Sequence, residues 1–146
     1  MRLKMLRALW FLSVVVVLAN LLIVYASLPE QVFIGGDNES PQSLSKELLF
    51  YALMISIVFI NAIVYLFRRM FPEAEDFRAW LHGLLITINT FLIISMHAVN
   101  VYNSTDSFEQ SRIVIFISGA LALILLWAAI WPLYLVYQKL FLKQVV

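Results

Sequence analysis

WLHGLLITINTFLIISMHAVNVY, residues Trp80–Tyr102, contains no Asp, Glu, Lys or Arg, and it decides the fold. A helix of about 20 such residues crosses the ~30 Å hydrocarbon core of a bilayer, where a charge at the centre costs at least ~2.5–3.5 kcal/mol. Three further runs share this character: Ala8–Ser27, Leu48–Phe67 and Ile113–Tyr137. The 146-residue chain therefore reads as an all-α polytopic membrane protein. It forms a single domain of four transmembrane helices, at 8–27, 48–67, 80–102 and 113–137, in an antiparallel bundle with an outer loop at 28–47. Short loops make sequence neighbours the default packing partners. With 63% hydrophobic and 13% charged residues, against about 45–50% and about 25% in an average soluble domain, a water-soluble globule is excluded.

The charges are segregated by loop. Arg2, Lys4 and Arg7 precede the first run, Arg68, Arg69 and Arg78 flank the second loop, and Lys139 and Lys143 follow the last run. The first and third loops hold only Lys46 and Arg112, against Glu30, Asp37, Glu39, Glu47, Asp106 and Glu109. By the positive-inside rule, both termini and the second loop are expected in the cytoplasm. Trp10, Trp80 and Trp131 fall near the inner ends of their helices, and are expected there as interface anchors. The first run, preceded by basic residues and ending near Val24-Tyr25-Ala26, has features of a signal peptide. It exceeds the roughly 7–15 residues of an h-region, so a retained helix is expected. The chain has no cysteine, hence no disulfide and no thiolate ligand.

The outer loop has the most sequence information outside the spans. Leu28-Pro29 ends the first helix, since proline lacks an N–H and pushes its predecessor out of the α region. Val32-Phe33-Ile34 is a β-prone run closed by Gly35-Gly36, and predicts an ordered cap or short strand. Ser43 or Ser45 is an N-cap for the second helix, with Lys46-Glu47 leading into it. On the cytoplasmic side, Glu73, Glu75 and Asp76 suit the N-terminal end of the third helix. Pro132 is expected to kink or loosen the fourth. Ser118 and Ala122, with Gly119 beside them, form a small-residue contact motif.

The polar residues inside the spans are the candidates for function: Asn20, Asn61, His82, Asn89, His97 and Asn100. At 100° per residue, His82, Asn89 and Asn100 lie within about 20° of one another, with His97 about 60° away. This stripe rises about 27 Å along the third helix. One reading is interhelical hydrogen bonding, each bond contributing about 0.6–2 kcal/mol; the other is a polar path for protons, ions or a small solute. Asn61 and Asn89 lie at similar depths, about 9 and about 13 Å from the cytoplasmic ends, and are the preferred pair. His82 and His97 are about 22 Å apart on one helix and cannot share an iron, so no cofactor and no metal is expected. The sequence has no Ser–His–Asp arrangement, phosphate-binding glycine loop or intramembrane carboxylate pair, so an enzyme is not expected.

The order of a membrane helix, Leu28-Pro29-Glu30-Gln31-Val32, a turn at Gly35-Gly36, and Ser45-Lys46 before a second membrane helix resembles a known family. It is similar to the small N-terminal domain of unknown function in bacterial SdpI-type toxin-immunity and signalling membrane proteins, over residues ~10–70. Where that family commonly has a histidine after the Leu-Pro element, this chain has Phe33, Ile34 and Gly35. The resemblance implies a multi-pass protein of the bacterial cytoplasmic membrane. It directs attention to Leu28, Pro29, Val32, Gly36, Ser45 and Lys46 as an interaction surface. The expected function is non-enzymatic action through partners, as an accessory subunit, sensor or immunity-like binder. The alternative is a small oligomeric transporter or channel using the stripe. Expected partners are the lipid bilayer and a membrane protein or further copies of this chain, with no nucleic acid.

Overall fold

In a computed structural model that describes residues 2–35, 42–104 and 110–142, the elements are α1 (Arg2–Ser27), β1 (Gln31–Gly35), β2 (Gln42–Ser45), α2 (Lys46–Met70), α3 (Glu75–Asn103) and α4 (Gln110–Tyr137). A π-helical turn, Gln138–Leu142, continues from α4. All four α-helices are long and apolar enough to cross a membrane, as in a multi-pass membrane protein. Each begins or ends beyond its uncharged run. A backbone in lipid must satisfy its own hydrogen bonds, so helix persists until water can take over.

Local chemistry sets the ends. Ser45 caps α2, its hydroxyl accepting from the Leu48 N–H at 3.3 Å. Glu47 lies in the first turn of α2 and Arg68 and Arg69 in its last, each matching the helix dipole. α2 stops before Pro72, with the Phe71 N–H donating to the Phe67 carbonyl at 2.9 Å. Pro132 lies inside α4 without ending it.

α3 packs against α1, α2 and α4, and its broadest contact is with α1 rather than with either sequence neighbour. The sequence neighbours α1–α2, α2–α3 and α3–α4 are each in contact, and the α1–α3 seam is added to them. The reason is chemical: the α3 stripe finds its hydrogen-bonding partners largely on α1, at Ser13, Asn20 and Ser27. Those residues meet Asn89, His97 and Asn100, both series ascending together, so α1 and α3 run side by side with the same polarity. Two apolar clusters fill the interior. One joins Val17, Leu21, Val24, Leu28, Val32, Ile57 and Met96; the other joins Trp10, Val64, Leu81 and Leu85. Ser13 of α1, Asn61 of α2 and Asn89 of α3 fall between the two clusters.

The loop between α1 and α2 contains an antiparallel hairpin, β1–β2, pairing Val32 with Leu44 and Phe33 with Ser43, with an irregularity between Phe33 and Gly35. The sequence predicts a strand at Val32-Phe33-Ile34 but not its partner, because Gln42–Ser45 has only Leu44 as an apolar residue. Val32 is fully buried beneath the hairpin, in the cluster that includes Leu28. α4 packs on α3 and exposes Ile115, Phe116, Leu123, Leu125, Leu126 and Leu133. A Cβ added at Gly119 would meet nothing within 4 Å, and Ser118 and Ala122 are exposed. The small-residue motif therefore makes no close helix contact within the described residues.

Candidate functional site

The intramembrane polar residues form a ladder along the α1–α3 seam, with α2 contributing at mid-height. Its centre is a four-residue network. Asn61 Nδ2 donates to Asn89 Oδ1 at 3.0 Å, and Asn89 Nδ2 returns a bond to Asn61 Oδ1 at 3.1 Å. The second N–H of Asn61 reaches the Ile57 carbonyl at 2.9 Å, and that of Asn89 reaches Ser13 Oγ at 2.9 Å. Ser13 Oγ donates to the Trp10 carbonyl at 2.7 Å, and the Trp10 indole N–H donates to Asn61 Oδ1 at 2.9 Å. All four amide N–H groups of the two asparagines are thus used, with Asn89 at 0% exposure and Asn61 at 6%. Leaving such a group unpaired in a buried site costs about 1–3 kcal/mol, which is why the geometry closes on itself.

Trp10 is therefore placed between helices, its ring edge-on to Tyr65 and to His82. The buried His82 donates from Nδ1 to the Arg78 carbonyl one turn earlier. Towards the hairpin, Asn20 Nδ2 and His97 Nε2 form a hydrogen bond of 2.8 Å. Asn20 Oδ1 is buried without a partner, while His97 lies on an exposed flank of α3. One turn further, Ser27 Oγ donates to Asn100 Oδ1 at 3.0 Å.

The top rung is one that the sequence does not single out. Asn103 Oδ1 accepts from the Phe33 N–H at 2.7 Å, and its Nδ2 donates to the Phe33 carbonyl at 3.0 Å. The carboxamide pairs with both backbone groups of one residue, as a neighbouring strand would, and fastens the hairpin to α3. A polar residue one position beyond an apolar run reads as the start of a loop, which gives no sign of a contact with Phe33.

Of the candidate interaction residues between α1 and α2, Leu28 and Val32 are buried, Pro29 is exposed, and Gly36 lies outside the described residues. Lys46 Nζ forms an ion pair with Glu30 Oε1 at 2.6 Å, across the base of the hairpin, where the Lys46 N–H also donates to the Glu30 carbonyl at 3.1 Å. The exposed apolar side chains on β1 are Phe33, at 45%, and Ile34, at 51%.

At the opposite end, Trp80 and Trp127 each donate an indole N–H to the other's backbone carbonyl, both at 2.9 Å. Phe77, Trp80, Trp131 and Tyr134 form a continuous aromatic cluster between α3 and α4. Gly83 makes this closeness feasible, since a Cβ there would clash with the Trp127 ring. Among the described residues, no group of three or more His, Asp or Glu gathers to hold a metal ion. No protein-family model, curated protein or solved structure matches the chain.

Proposed function

We propose that this chain is a non-enzymatic protein of the bacterial cytoplasmic membrane that acts through a membrane-protein partner, as an accessory subunit, sensor or SdpI-type immunity-like binder. In this reading the four helices form an antiparallel bundle with both termini in the cytoplasm and the hairpin outside. The observation that carries it is the hairpin itself. Val32 and Leu28 anchor it from below and Asn103 from the side, while Phe33 and Ile34 project unburied. Ordering a loop before binding lowers the entropic cost of association, and exposed apolar side chains on a fixed strand suit partner recognition. The test is purification from native membranes in mild detergent, with native mass determination of what accompanies the chain. A stoichiometric partner lost on Phe33→Ala/Ile34→Ala substitution is expected; retention of every partner by that variant refutes the assignment.

A second reading, an oligomeric transporter or channel, draws on one observation: His97 is exposed inside a span beside the orphaned Asn20 Oδ1. Flux in proteoliposomes abolished by His97→Leu would establish it. Its absence from folded, reconstituted protein would reject it.

A further inference from the structure

Beside the basic end of the ladder lies a cavity of about 90 Å³ between α1, α2 and α3. Each helix contributes one arginine to its lining: Arg7, Arg68 and Arg78. Trp10, Tyr65 and His82 form the adjoining wall. No carboxylate lines the cavity, and the Lys46–Glu30 ion pair of the described residues lies at the far end of the molecule. Glu73, Glu75 and Asp76 are near in sequence, yet none forms an ion pair with these arginines; Asp76 instead accepts from the Tyr134 hydroxyl at 3.4 Å.

Three guanidiniums lining one space repel each other; Arg7 and Arg68 are exposed, and Arg78 is the half-buried member. Arg78 makes the deficit specific. Its Nε is buried and has no hydrogen-bond partner, although a charged guanidinium N–H is a strong donor. A buried donor fixed beside two further cations is a site lacking its acceptor. The cavity admits several water-sized groups, enough for a tetrahedral oxyanion, and the planar guanidinium fork matches such oxygens in bidentate geometry. The neighbouring Arg69 follows Arg68 in sequence but does not line the cavity, so the convergence is not simply the basic character of that loop.

We infer that this cavity binds a phosphate oxyanion, which joins α1, α2 and α3 at the end where no carboxylate does so. The group can come from an anionic phospholipid headgroup or from a free phosphate; the binding chemistry is shared.

The test uses the full chain in nanodiscs of phosphatidylcholine, with two probes: phosphatidylglycerol doped into the disc, and inorganic phosphate added to the buffer. Native mass spectrometry reads retained ligand, and the thermal midpoint reads linkage to folding. Retention of phosphatidylglycerol alone identifies a headgroup site; a response to phosphate identifies a soluble-anion site. Either supports the inference if Arg68→Gln and Arg78→Gln weaken binding about tenfold or more while Arg69→Gln does not. Should Arg78→Gln fail to fold, Arg7→Gln, on an exposed position of α1, makes the same comparison. Binding of neither probe, or equal weakening by Arg69→Gln, overturns it.

Discussion

Asn61 of α2 and Asn89 of α3 present their carboxamides to each other edge to edge, each donating to and accepting from the other at 3.0 and 3.1 Å. Replacing one partner strands the other in a dry interior. Asn89→Leu is expected to destabilise the fold by about 1–3 kcal/mol, and the double Asn61→Leu/Asn89→Leu variant by less than the sum of the two single changes. Reversible unfolding in mixed micelles measures both. Strict additivity would show that the pair is not coupled.

The Asn20–His97 rung has the opposite balance. It forms one bond of 2.8 Å, leaves Asn20 Oδ1 buried without a partner, and sits against an exposed flank. Asn20→Leu/His97→Leu should therefore cost under about 1 kcal/mol in the same assay. A loss as large as that at Asn89 would mean this rung holds the fold as strongly as the centre does.

Gly83 and Trp127 make a steric prediction. A side chain at Gly83 would enter the indole and break both reciprocal indole–carbonyl bonds. Gly83→Val should cost about 1–3 kcal/mol and loosen α4 from α3. Adding Trp127→Ala should restore part of that packing. Because the chain has no native cysteine, paired cysteines on α3 and α4 report the separation by cross-linking yield.

Asn103→Ala removes the bonds to the Phe33 N–H and carbonyl without disturbing the Val32 anchor. Amide exchange at residues 31–35 should accelerate about five- to thirtyfold, equivalent to about 1–2 kcal/mol of local stability, with the global midpoint nearly unchanged. Unchanged exchange would show that the buried Val32 and Leu28 hold the hairpin alone.

The ladder is partly legible in the sequence. Helical phase places His82, Asn89 and Asn100 on one face, and depth counting matches Asn61 to Asn89, because both depend only on helix rise and twist. Ser13 and Asn103 carry no such signal. A serine in an apolar helix usually bonds its own backbone, and an asparagine at a helix end usually belongs to the turn. In the sequence the three cavity arginines speak only of topology, since loop charge carries no information on which guanidiniums converge.

What the sequence determined by itself is the set of four membrane-length helices, the basic and acidic ends, and the face of α3 bearing its polar groups. These are one-dimensional properties: run length, charge position and periodicity. Tertiary structure alone decided that the broadest contact of α3 is with α1 rather than α2, that Trp10 turns inward to Asn61, and that Gly83 admits Trp127. Each depends on rotation and close approach of helices whose lipid-facing and partner-facing surfaces are almost equally apolar. With little hydrophobic difference between lipid and neighbouring helix, hydrogen-bond geometry and the fit of small against large side chains settle the packing.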